Sequence, residues 1–263
     1  MFGRLLKYDF RSMFKQFAFI WPAALAIALV NHFTLYNFGG SGMQNTVSGF
    51  AVVVYIAILI AMFIIALVFT IQRFYKGLLG DEGYLMFTLP VKPWQLIGSK
   101  LLCAVITTFI SVIVALLSVL LLLPWDREAF REIFEGLRYV STHWSGEATQ
   151  GLIALLEMCL MMMVSFATGY LHIYAALSIG HLFSKNRIAI SVAAFVVLNS
   201  LVGTLSGILM AAFFRQFFDA FNRMSGAAQY HCAIWTVIVS ELLLGAVYFA
   251  GTEFILRKKL NLE

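Results

Sequence analysis

The chain has 263 residues, of which 62% are hydrophobic and only 12% charged, and its 18 lysines and arginines outnumber 13 acids to give a formal net charge of +5. Soluble domains run at about 45–50% apolar and about 25% charged, so these proportions exclude an ordinary soluble fold. The basic residues are not gathered into a separate polar domain, which argues against a nucleic-acid surface.

The composition predicts an all-α protein, an integral membrane bundle of six transmembrane helices with an N-terminal amphipathic interfacial helix. Apolar runs of about 20 residues match a bilayer core ~30 Å thick, where a helix satisfies its own backbone polar groups. The expected plan is an interfacial helix over 1–16, a transmembrane domain over 17–256 and a cytoplasmic tail over 257–263.

In the first segment Arg4, Lys7, Arg11 and Lys15 share one helical face, while Leu6, Phe10, Met13 and Phe17 share another. That pattern predicts a helix lying at the membrane surface, its basic side toward anionic headgroups of membrane lipids. No small-residue cleavage site follows the first apolar run, so the first span is expected to serve as the targeting signal.

Six spans are predicted, at about 17–38, 47–71, 100–124, 151–182, 188–213 and 232–256. The fourth would be about 48 Å long as a helix and so must tilt or project into water on the cytoplasmic side. Between the second and third spans lies a loop at about 72–100. After the third, an amphipathic segment at about 125–150 sets Phe130, Ile133, Phe134, Leu137 and Val140 opposite Arg127, Glu128, Arg131, Glu132, Glu135 and Arg138. Gly203 and Gly207 form a small-xxx-small pair that predicts close helix packing, chiefly within the chain. A last external stretch at about 214–231 holds Arg215, Asp219 and Arg223 four apart, as in a salt-bridge ladder.

With the N-terminus inside, only Arg127, Arg131, Arg138, Arg215 and Arg223 fall outside, leaving thirteen of the 18 basic residues inside. The positive-inside rule therefore predicts that both termini are cytoplasmic.

The chain carries no Walker-type phosphate loop, so it is not expected to hydrolyse ATP alone, and no His-Glu-x-x-His pair points to a metalloprotease. Gly77-Leu78-Leu79-Gly80-Asp81 falls in a charged loop outside any span, a poor setting for an intramembrane aspartyl protease. An enzyme is not expected. Cys103, Cys159 and Cys232 lack metal-like spacing and read as buried small hydrophobes, giving neither a disulfide nor a metal site.

Ionisable groups within the spans are few: Glu157 in the fourth, nearer the outer interface, and Glu241 in the sixth, with His32 and His172 nearer helix ends. A carboxylate in hydrocarbon is costly, so each needs a partner, a cavity or another helix. Glu241 and Glu157 are candidates for a translocation path, set against the alternative of hydrogen-bonded packing residues. Met158, Met161, Met162 and Met163 read as adaptable packing.

The richest loop sequence is Asp81-Glu82-Gly83-Tyr84-Leu85-Met86-Phe87-Thr88-Leu89-Pro90-Val91, followed by Lys92-Pro93-Trp94-Gln95-Leu96 and Lys100. A polar start, an aromatic-rich run and a proline stop predict a short helix across the cytoplasmic face, whose exposed aromatics suit a soluble partner.

With the basic N-terminal helix, the six spans and Ile179-Gly180-His181-Leu182-Phe183-Ser184-Lys185, this loop resembles the permease subunits of bacterial ABC-2 type transporters, along nearly the whole chain. The resemblance implies a type V exporter-like fold in a bacterial plasma membrane. Its cytoplasmic loops would dock separate cytosolic ABC ATPase subunits, which hold ATP and Mg; this chain would hold no cofactor. Asp81, Glu82, Tyr84 and Phe87 would be the main docking contacts, and Ser184, Lys185 and Arg187 the secondary ones. A second identical or related permease subunit is implied as well. Lys92 stands where relatives commonly carry a small hydroxyl residue.

The expected function is ATP-driven export or removal of a hydrophobic or amphipathic substrate: an antimicrobial peptide, a drug or a lipid. The resemblance favours antimicrobial-peptide resistance. Two alternatives stand beside it: an ion- or proton-coupled secondary transporter centred on Glu157 or Glu241, and a membrane sensor or assembly platform.

Overall fold

A computed structural model describes residues 2–37, 42–80, 91–123, 127–142, 147–183 and 185–258. Among the described residues every regular element is helical. They are α1 (Phe2–Asn37), α2 (Gly42–Phe74) with one π-helical turn continuing it (Tyr75–Leu79), α3 (Pro93–Leu121), α4 (Arg127–Thr142), α5 (Glu147–Gly180), α6 (Arg187–Asn222) and α7 (Gly226–Lys258). All but α4 are long and apolar enough to cross a membrane, which gives six candidate spans.

The helices exceed the predicted spans in three places. Residues 2–37 form one helix, with no break at 16–17. Nothing between Gly3 and Pro22 interrupts the backbone, and Asp9, Met13, Phe17, Trp21, Ala24 and Ala28 make one buried stripe along it. Met13 and Phe17, expected on a membrane-facing surface, are 1% and 0% exposed. The loop expected at 72–100 is shorter, because the π turn extends α2 to Leu79 and α3 begins at Pro93. The external stretch expected at 214–231 is mostly helical, since α6 runs to Asn222 and α7 starts at Gly226. Charged residues read as loop markers are tolerated here because helices of 29–36 residues outrun a ~30 Å core.

The chain divides into two compact units, one of Gly3–Thr70 with Val105–Leu152, the other of Met1–Phe2, Ile71–Ala104 and Ile153–Glu263. In the first, α1 and α2 are antiparallel: Phe17 meets Phe69 edge-on at 6.1 Å, and Asn31 donates to the Ala51 carbonyl at 3.1 Å. α3 supplies hydroxyls to both neighbours. Trp21 Nε1 donates to Ser111 Oγ at 3.0 Å, and Ser111 donates onward to Thr107 O. Ser118 donates to Ala115 O at 2.7 Å, so its 2.6 Å contact with Tyr55 is a bond donated by the phenol. Both serines return their protons to their own helix, so neither hydroxyl is a stranded donor in an apolar interior.

In the second unit, α5 and α7 run parallel: Glu157 meets His231 and Trp235, Thr168 meets Glu241, and His172 meets Tyr248. α6 is antiparallel to α5, with Phe195 against His172 and Ser191 against Gly180. Three successive helices that each cross a bilayer once require this alternation.

The Gly203–Gly207 pair does not deliver the packing within the chain that its spacing predicts. No atom among the described residues lies within 4 Å of a Cβ placed at either glycine. Leu201, Leu205, Ile208 and Met210 around them are exposed, so α6 turns this stretch outward.

Candidate functional site

Two features of the second unit gather functional side chains. The first is at the helix ends that flank the two informative loops. The π turn closes with Gly80 N–H donating to Tyr75 O at 2.8 Å, a wider ring than the α-helix makes and a frequent mark of functional sites. It buries Leu78 and Leu79 and turns Gly77 toward α3. A Cβ at Gly77 would stand 2.6 Å from Lys100 Nζ, so the glycine makes room for a lysine that is only 4% exposed.

Tyr75 packs edge-on against His181 with ring centroids 5.0 Å apart, which joins the root of the first loop to the start of the second. α5 ends there through tightened bonds, Leu182 N–H to Ile179 O at 3.1 Å and Phe183 N–H to Gly180 O at 3.3 Å. α6 begins after Asn186, which holds φ 56° in the left-handed region that asparagine tolerates. The hairpin is so tight that a Cβ on Gly180 would sit 2.6 Å from Arg187 O and 2.8 Å from Ser191 N. Its tip presents Leu182 and Phe183, 44% and 51% exposed, beside exposed Lys185.

His181 is the first residue past the span that ends at Gly180. Burial holds its imidazole below the ordinary value of 6.5; the Leu177 carbonyl opposes that shift, and the Arg187 cation adds to it.

The second feature is a polar seam between α5 and α7. Both oxygens of Glu157 are engaged: Trp235 Nε1 donates to Oε1 at 2.9 Å, and His231 Nδ1 lies 2.6 Å from Oε2. Deeper in, Thr168 Oγ1 reaches the backbone carbonyl of Glu241 at 3.0 Å. Glu241 occupies the middle of α7, between Ile238 and Gly245 on the stripe that continues through Tyr248, Thr252 and Leu256. Its side chain is half-buried, and among the described residues no hydrogen bond or salt bridge reaches its carboxylate. One turn beyond Thr168, His172 is sandwiched between Phe195 and Tyr248 at 4.5 and 4.9 Å, nearly parallel to both.

Of the residues singled out from sequence, Asp81, Glu82, Tyr84, Phe87 and Ser184 lie outside the described residues. Lys185 is exposed on the hairpin tip, whereas Arg187 is half-buried and its carbonyl accepts from Ser191 Oγ at 2.9 Å. Glu157 and Glu241 fall on the same seam but are not brought together; the first is engaged and the second is not. Tyr75, His231 and Trp235 were not legible as site residues. His231 and Trp235 stand four apart on one helical face, which aims both at one spot, but Glu157 is 74 and 78 positions away from them.

Six membrane-length apolar helices, with parallel α5 and α7 sharing a seam of polar groups, define an integral, multi-pass membrane protein. Compared with known families, curated proteins and solved structures, the chain finds no match in any of the three.

Proposed function

We propose that this chain is the permease subunit of an ABC-2 type transporter in a bacterial plasma membrane, with both termini cytoplasmic. It exports or removes a hydrophobic or amphipathic substrate with ATP hydrolysed by a separate subunit. The observation that supports this reading most is the Tyr75–His181 contact, which ties the roots of the two loops expected to meet the ATPase. The tip beside it exposes Leu182, Phe183 and Lys185, apolar side chains with a cation where a soluble partner would bury them.

In this reading the Gly180–Arg187 hairpin is a stiff lever. Closure of an ATPase pair would push it and the 81–91 loop together, and the push would pass through α5 to the seam. Such coupling transports a substrate only when the substrate binds the two access states unequally. A second permease copy and two ATPase subunits complete the machine.

The test is affinity purification from the native host with identification of co-eluting subunits. The wild-type chain is expected to bring down an ABC ATPase, and Tyr84→Ala with Phe87→Ala to lose it while still inserting in the membrane. An intact complex from the double variant would sink the docking assignment.

One observation favours a second reading, a carrier driven by an ion or proton gradient. The Glu241 carboxylate sits mid-span on a helix seam without a hydrogen bond among the described residues, the position in which membrane carboxylates handle ions. Transport that persists without ATP, collapses with the gradient and is lost in Glu241→Gln selects that reading.

A further inference from the structure

Along the N-terminal half of α1 runs an open groove of about 630 Å³, its lining almost wholly apolar. Phe10 and Phe14 of α1 and Ile106 of α3 form its walls, and Lys7, Arg11 and Lys15 stand along it one turn apart. We propose that this groove is a binding site for an anionic glycerophospholipid, with the phosphate held among the three cations and the upper acyl chains laid against the aromatic wall.

Charge is the first argument. Lys7, Arg11 and Lys15 are exposed, and no salt bridge engages them among the described residues. Asp9, the one acid in this stretch of α1, is 2% exposed and belongs to the buried stripe. The groove therefore offers three cations with no acid of its own helix facing them, which suits an anionic headgroup over a zwitterionic one.

Depth is the second. From Gln16 to Asn37, α1 carries no aspartate, glutamate, lysine or arginine. That stretch is ~33 Å long as a helix, close to the ~30 Å hydrocarbon core. Lys15 thus marks the edge of the core, and Arg11 and Lys7 follow at headgroup level.

Shape is the third. From Gly3 to Lys15 the groove runs ~18 Å, from the edge of the core outward through the headgroup layer. An apolar slot flanked by cations is amphipathic in the same sense as a phospholipid. A free phosphate would leave the aromatic wall bare. An acidic peptide would set carboxylates against it.

The test uses the full-length, delipidated protein in detergent. Native mass spectrometry follows its titration with phosphatidylglycerol or with phosphatidylcholine of identical acyl chains. Phosphatidylglycerol is expected to bind one-to-one and at least about tenfold more tightly, given the contribution of each cation near an anionic lipid.

Lys7→Gln with Arg11→Gln and Lys15→Gln is expected to erase that preference. Arg127→Gln with Arg131→Gln and Arg138→Gln, which removes the same charge from α4, is expected to keep it. Phe10→Ala with Phe14→Ala is expected to weaken both lipids. Circular dichroism checks that each variant keeps wild-type helicity; should the triple variant aggregate, the three single substitutions, each expected to lose part of the preference, decide.

Three outcomes would overturn the proposal. One is an unchanged preference in the groove variants. Another is an equal loss in the α4 control. The third is competition by millimolar inorganic phosphate, or by a polyglutamate peptide, as effective as that of the lipid. None of these readouts involves an ATPase, so the groove and the permease reading stand or fall separately.

Discussion

Glu157 on α5 and His231 on α7 meet with Oε2 and Nδ1 2.6 Å apart, and the second carboxylate oxygen accepts from Trp235. One carboxylate thus clasps two donors of a parallel neighbour. Its side chain is 13% exposed, and each oxygen already has a partner on α7. Charge-assisted bonds of this kind are stronger than neutral ones, and they carry more weight in apolar surroundings.

Glu157→Ala is expected to lower the thermal midpoint of the detergent-solubilised protein by ~2–4 °C, because it removes the acceptor of both donors at once. Glu157→Gln keeps one acceptor oxygen and is expected to fall between. Thermal size-exclusion chromatography followed by tryptophan fluorescence reads the order; equal midpoints for all three proteins would show the clasp to be idle.

Gly180→Ala is expected to destabilise the α5–α6 hairpin by about 1–3 kcal/mol, the usual cost of overpacking. Removing the Ser191 hydroxyl with Ser191→Ala is expected not to rescue it, since the new Cβ still meets Arg187 O at 2.6 Å and Ser191 N at 2.8 Å. Gly151→Ala serves as the control, because nothing lies within 4 Å of a Cβ there. Limited proteolysis of the 180–187 hairpin measures the difference.

His181 should make stability depend on pH. Its folded value is depressed below 6.5 by burial, so below that pH the unfolded chain binds more protons than the folded one. The contribution is complete above pH ~6.5 and is lost as the pH falls through the lower folded value. His181→Phe keeps a ring against Tyr75 but cannot titrate. Its midpoint is expected to vary less between pH 7.5 and 5 than that of the wild type, in thermal scans at matched ionic strength.

In the first unit, Tyr55 and Ser118 are expected to be coupled by about 1 kcal/mol in a double-mutant cycle, within the range measured for hydrogen bonds between membrane helices. Ser118→Ala alone leaves the Tyr55 hydroxyl without its acceptor, so it should cost more than the same change made in Tyr55→Phe. Denaturation in mixed micelles supplies the four free energies; strict additivity would show that the 2.6 Å contact carries no net energy.

Much of the helical plan could be read from the chain because apolar length is a local property. The predicted fourth span, 151–182, sits within two residues of the observed Thr149–Gly180, and the amphipathic pattern after Trp125 became α4. Charge is a poor marker of where these helices end. Lys76 lies in the π turn and Lys100 on α3, because a helix projecting past the hydrocarbon keeps its backbone bonds in water as well as in lipid. The stripe through Met13 and Phe17 packs inside the protein and not against the bilayer, a distinction that periodicity cannot make because it tells which residues share a face, not what that face meets.

The sequence alone determined that this is a multi-pass helical membrane protein, since hydropathy and length act residue by residue along a single segment. It also marked Glu157 and Glu241 as costly groups needing explanation. Only the tertiary structure decided their different circumstances. Parallel packing of α5 and α7 carries His231 and Trp235 to Glu157, whereas the Glu241 carboxylate receives no such donors among the described residues. The same holds for the lysines and arginine of α1. Their spacing was legible, and so were Phe10 and Phe14 beside them, but the groove gains its second side only when Ile106, 91 positions from Lys15, is brought alongside by α3. A carboxylate's cost and a cation's chance of holding a ligand depend on neighbours distant in the chain, and those are assigned by packing.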